Sequence, residues 1–155
     1  MTARNLQQAI IQDLKVLFQP RRYTDSDGES VPINVYEHDV PERTSDDAPE
    51  PFPYIIVRLT GGNIETQTDP HKVSVMLLVG VYDADLNHKG CSTVVEILEC
   101  IQEHYEGTPL LAGQFVFQDP FTWVTQDELS YPYYFGAANT TWSLPAPRRK
   151  VSELV

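Results

Sequence analysis

Cysteine is scarce in this chain, and the two that occur cannot staple it. Cys91 and Cys100 are nine positions apart in a segment that reads as helix, which puts them about 180° apart around the axis. Two reduced thiols, at least one of them buried, are the expectation, rather than a disulfide or a zinc site. Cations are few as well: 11 Lys and Arg stand against 22 Asp and Glu, a formal charge of −11. A field of that sign repels nucleic acid and anionic membrane surfaces. Between positions 108 and 144 there is no Lys or Arg, so an aromatic platform there lacks the interleaved cations that single-stranded nucleic acid requires. No apolar run approaches a membrane span. The first residues lead straight into an amphipathic helix without the apolar stretch of a secretory signal, so an intracellular protein is expected.

The signatures of common chemistry are missing too. There is no Gly-x-Ser-x-Gly elbow, no Gly-Lys-Ser/Thr and no Gly-x-Gly-x-x-Gly spacing, which removes the usual serine hydrolase and phosphate-cradling readings. Gly61 and Gly62 stand alone after a strand and predict a bulge or tight bend.

Prolines, by contrast, are plentiful: 12 in 155 residues, above the usual ~5% and a sign of long ordered loops. Four of them, at 41, 49, 51 and 53, lie with Glu42, Asp46, Asp47 and Glu50 between His38 and Pro53. Such a stretch cannot bury a core of its own. It predicts a long acidic proline-rich loop, mobile by itself or clamped by a partner.

Hydrophobic periodicity supplies the elements. Leu6, Ile10, Leu14 and Leu17 predict a first helix, with Thr2 as N-cap and Pro20 as stop. Positions 31–36 read as a short edge strand, interrupted early by Pro32. Residues 54–67 and 72–82 alternate as strands that should pair, the second through Val73, Val75, Leu77, Val79 and Val81. Met76 and Leu78 lie on its other face, so its middle is expected to be covered twice, by a helix on one side and by something such as a neighbouring subunit on the other. Cys91, Val94, Val95, Leu98, Ile101 and Tyr105 predict the second helix. Residues 114–118, 121–125 and 133–144 read as further strands. The expected fold is therefore α+β: a single mostly antiparallel sheet flanked by two helices, forming one domain over 1–147, with a flexible C-terminal tail at 148–155.

Candidate chemistry is thin. Asp83, Asp85 and His88 supply at most three metal ligands, and Asp83, Asp85 and Asn87 make sense as a strand-to-helix turn that caps the following helix. His38 and Asp39 form a dyad without the further ligands a metallohydrolase needs. His71 sits in a hairpin turn and His104 near a helix end, where a cation suits the dipole. No catalytic residue, metal or cofactor is expected. The aromatic concentration from Phe115 to Trp142 points instead to contacts, since such rings fill cores and are enriched at interfaces. Phe115, Phe117, Phe121, Trp123, Tyr133, Tyr134 and Trp142 are the candidate interface residues. Leu154 and Val155 join them, as part of a tail that could extend a neighbour's open sheet edge.

The order of elements, with Leu6-Gln-Gln-Ala-Ile-Ile11, the strand Pro53-Tyr-Ile-Ile-Val-Arg58, the strand 73–82 and the helix after it, resembles the tail terminator proteins of long-tailed bacteriophages and prophages. The resemblance covers most of the chain. It implies a structural virion protein, not an enzyme. It also implies a homo-oligomeric ring, of six subunits as that family usually has, which is assembled in the host cytoplasm, caps the tail tube and meets the head connector proteins. An acidic lumen would let DNA pass without sticking. Another neck or tail adaptor, and less readily a small metal-dependent hydrolase, are the alternatives.

Overall fold

The computed structural model describes residues 2–43, 45–48, 50–66 and 69–145. The expected first helix is α1, Ala3–Phe18, and Thr2 caps it as the sequence implies. The Thr2 hydroxyl accepts from Asn5 N–H at 3.1 Å, while the Asn5 side chain accepts from Thr2 N–H at 3.0 Å, so two orphan donors of the first turn are satisfied reciprocally. A small hairpin follows, β1 (Tyr23–Thr24) with β2 (Ser30–Val31). The remaining strands are β3 (Asn34–Glu37), β4 (Tyr54–Asn63), β5 (His71–Tyr82), β6 (Leu110–Leu111), β7 (Phe115–Thr125) and β8 (Tyr133–Leu144), with α2 (Gly90–Gly107) between β5 and β6.

These six strands form one sheet in the order β3-β4-β5-β8-β7-β6. Every pairing is antiparallel except the first, where β3 runs parallel to β4 with Val35 opposite Ile55. Parallel neighbours cannot be joined by a tight turn and need a long return connection. The described residues of 38–53 make that return without a helix or strand. Among the described residues the fold is thus α+β, with two helices and a mostly antiparallel sheet. The edge strand expected over 31–36 is split: Ser30–Val31 belongs to the small hairpin, while Asn34–Glu37 forms one edge of the sheet; the β4–β5 ladder carries a register shift between Leu59 and Gly61, where the glycine pair predicted one.

Both helices pack on the same face. One apolar cluster holds Leu6, Ile10, Ile11, Leu14 and Phe18 of α1 with Val94, Ile97, Leu98, Ile101 and Tyr105 of α2, above the alternating residues of the strands. The helices also touch each other, Asp13 of α1 accepting from His104 of α2 at 2.8 Å. Burial, with Asp13 nearby, pushes the Tyr105 phenol far above the ordinary tyrosine range, so it stays neutral in the core. Gln7 is fully buried in this layer and donates to the Val57 carbonyl at 2.8 Å. The helical stripe in the sequence passed over it, as it passed over Ile11 and Ile97. Leu17 and Cys100 are only partly buried and Cys91 is exposed, so neither thiol is fully in the core.

Two glycine-related positions set close tolerances. At Gly90, the first residue of α2, an added Cβ would overlap the Tyr134 ring. Gly90→Ala must push that buried ring aside, and a loss of about 1–3 kcal/mol in denaturant titration is expected. Ala112, in the turn between β6 and β7, has φ 52°, a left-handed conformation that costs a Cβ-bearing residue about 1–2 kcal/mol. Ala112→Gly removes that strain at some entropic cost, and is expected to raise stability by about 0.5–1 kcal/mol in the same assay.

Candidate functional site

The helices cover one face of the sheet, and among the described residues no helix covers the other. Side chains alternate along each strand, so register shows what that open face carries. Ile56, Leu78 and Ala137 are directly opposite one another on β4, β5 and β8, and Val124 of β7 is opposite Ala137. They form a continuous apolar row across four strands. Next to it, Tyr54 is opposite Gly80, which is opposite Phe135. On the other side the face turns polar, through Arg58, Met76, Asn139 and Thr122 and then Ser74 and Thr141. Leu78, Ala137 and Phe135 are half-buried and Val124 is 63% exposed. Leu78, Val124, Thr125, Gln126, Phe135, Gly136 and Ala137 line a shallow hollow of about 220 Å³.

Part of the open face is closed by the chain itself. Phe52, at the end of the 38–53 connection, sits among Tyr54, Tyr133 and Phe135, with ring centroids 5.1, 4.9 and 5.8 Å away. The Tyr133 hydroxyl donates to both oxygens of Glu50 at 2.9 and 3.0 Å. That hydrogen bond, with burial and the carboxylate's charge, raises the Tyr133 phenol above its ordinary value, which keeps it a donor. Asn34 donates to the Pro51 carbonyl at 3.1 Å, and Arg43 donates to the carbonyls of Asp46 and Ala48. The sequence favoured a free connection here. Its second half is instead clamped by its own sheet, because Phe52 buries its ring against three others and a neighbouring carboxylate finds a phenol.

The aromatic residues expected at an interface divide by face. Phe115, Phe117, Phe121, Tyr134 and Trp142 are each at most 7% exposed and belong to the core under the helices. Trp142 meets Tyr105 edge-on at 5.0 Å and Phe117 at 5.6 Å. They offer no surface to another chain. Trp123 is half-buried and packs against the same core. Only Tyr133 of this group lies on the open face, within the Phe52 cluster. Leu154, Val155 and the tail to which they belong lie outside the described residues. Leu78, flagged by the sequence as pointing away from the helix layer, is central to the open face. Ala137 and Val124 were missed as surface residues, and Ile56 as their buried neighbour at 4% exposure, although apolar residues at consecutive positions of 55–57 and 133–138 signalled strands with two apolar faces.

The polar candidates are accounted for locally. Asp83 and Asp85 accept from the N–H groups of Asp85 and Asn87 at 2.9 Å. They make the turn that the sequence offered, but no side chain caps α2, whose N-cap is Lys89. His88 stacks on Tyr131 with centroids 4.6 Å apart. The His38 carbonyl accepts twice from Arg58, at 2.9 and 2.8 Å, and Asp39 accepts from Val40 N–H. Among the described residues no three His, Cys, Asp or Glu side chains converge as metal ligands, and no helix is long and apolar enough to cross a membrane.

No family model and no curated protein matches the chain. Solved structures do: one similar structure aligns over 96% of this chain and 99% of its own, with a TM-score of 0.51 and 9% identity. At that identity the likeness speaks for the fold alone.

Proposed function

We propose that the chain is a structural virion assembly protein of the tail terminator kind, which closes into a ring through its open sheet face, caps a tail tube and meets the head connector. The observation that carries the assembly reading is the apolar row Leu78, Ala137 and Val124, continued by the buried Ile56, which is left partly uncovered among the described residues on a sheet whose other face takes both helices. A sheet normally buries each apolar face, and a second copy supplies the missing layer. The setting in a phage tail rests on the resemblance of the sequence. The charge of −11 suits a lumen through which DNA passes without sticking, and the virion, after assembly in the host cytoplasm, is the proposed location.

Light scattering over a wide concentration range tests this reading. The expected particle is about six times the chain mass of 17.6 kDa. A monomer that persists at every concentration would overturn self-assembly and leave an adaptor that docks on another protein.

A further inference from the structure

The ring reading requires two different patches on each subunit, because a closed head-to-tail interface is heterologous. The outer edge of β7 offers one. β6 covers that edge only at its start, pairing Leu110 with Val116 and Leu111 with Phe115, and among the described residues no strand pairs with the outer edge from Gln118 onward. Around Asp119 and Pro120 the ladder with β8 is irregular, and a bulge with a proline protects an edge from added strands. The last four residues, Thr122, Trp123, Val124 and Thr125, have no such protection. They are uncharged and mostly β-branched or aromatic, which favours pairing. Gln126 N–H donates to the Phe135 carbonyl, so by the two-residue alternation of an antiparallel ladder Trp123 and Thr125 turn their N–H groups away from β8. Val124 and Thr125 also line the apolar hollow. An edge with free donors therefore adjoins a socket for an apolar side chain.

Resting on the ring reading, we infer that residues 148–155 of one copy add as a strand to this edge of β7 in the next copy, seating an apolar side chain of Val151, Leu154 or Val155 in the hollow. Three features select that occupant. Arg148, Arg149 and Lys150 are the chain's only run of three cations. The β7 region has no cation of its own, and its exposed Asp119, Asp127 and Glu128 flank the edge. Geometry favours a neighbour over the same chain: Ser143 is opposite Val116, so β8 ends beside the part of β7 that β6 covers, at the far end from Thr122. To reach its own edge at Thr122, a tail leaving β8 at Pro145 would have to turn back around β6. Ten residues, 146–155, can span at most about 33 Å when extended.

Light scattering and amide hydrogen exchange on the full chain test the exchange of arms. Leu154→Asp alters only the arm, and Thr125→Pro blocks the edge at an outward N–H, a position where a strand tolerates proline. Near-ultraviolet circular dichroism of each variant checks that the fold survives. The expected result is an oligomer with protected Trp123 and Thr125 amides, which Leu154→Asp reduces to the 17.6 kDa chain with those amides exchanging freely. Thr125→Pro should give the same fall in mass, and added salt should weaken the wild-type oligomer. An oligomer unchanged by Leu154→Asp overturns the arm exchange and leaves the ring reading standing. An oligomer of another size that Leu154→Asp dissociates supports the exchange and overturns the six-membered ring. A monomer with protected amides means that the arm folds onto its own edge, and a monomer with unprotected amides means that it does not bind there; both overturn the exchange.

Discussion

Trp142→Ala is expected to lower stability by about 3–5 kcal/mol, the range for removing a fully buried tryptophan. The indole is 1% exposed. Tyr105 and Phe117 pack on it at 5.0 and 5.6 Å, and its N–H donates to the Thr140 hydroxyl at 3.0 Å. These neighbours belong to α2, β7 and β8, so the cavity would open where three elements meet and cannot collapse by moving one side chain. Against a usual domain stability of about 5–15 kcal/mol, that loss is a large fraction, and a midpoint about 10 °C lower is expected in thermal melts. The comparison that matters is with assembly. An interface tryptophan would dissociate the oligomer while leaving each chain folded. Here, scattering should show the oligomer intact up to the lowered melting transition. Trp142→Phe keeps most of the ring area and loses the N–H donor, so its cost should be nearer 1–2 kcal/mol.

The tryptophan also shows where sequence reading stops. Alternation along 133–144 established that Tyr134, Ala138 and Trp142 share a side of β8, because side-chain period is a local property of a strand. Which side the helices would cover is not local. It depends on α1 and α2 both packing over the same face, and residues far apart in sequence decide that. The strand 54–63 and its partner 71–82 were legible because a short hairpin joins them and both alternate. The parallel pairing of β3 with β4 was not, since nothing in Asn34–Glu37 names a partner twenty positions on; only the length of the 38–53 connection hinted at it. β7 was read as two strands because Asp119-Pro120 looks like a break, whereas a bulge lets one strand carry a proline. The Phe52 clamp was hidden for a related reason. A lone aromatic in a proline-rich acidic stretch has no periodic companions, and the rings that receive it come from β4 and β8. For the candidate site, Leu78 was visible as an apolar residue on the wrong face of an alternating strand, while the row that it joins needs the register of four strands.

Leu78→Lys is the substitution expected to separate assembly from folding most sharply. Leu78 lies mid-strand on β5, between Ile56 and Ala137 on the open face, and in a single chain it is partly exposed. A lysine there can lay its methylene stem along the apolar row and keep the ammonium in water, so the isolated chain should lose no more than about 1 kcal/mol. If a second copy covers the row, the ammonium has no route to solvent. Burying it without a partner costs several kcal/mol, and about 4 kcal/mol against association already weakens binding roughly a thousandfold. The expected observation is a monomer in light scattering at concentrations where the parent chain is fully assembled, with a nearly unchanged melting curve once the parent's own assembly is allowed for. Charge repulsion cannot mimic this result, because the added cation reduces the net negative charge that opposes association. Lys72 serves as a control on the same strand: it is exposed on the polar half of the open face, opposite Ser143, and Lys72→Leu should leave the oligomer's mass as it was. An assembled Leu78→Lys chain would mean that the apolar row is not the contact, and would move the interface to the β7 edge alone.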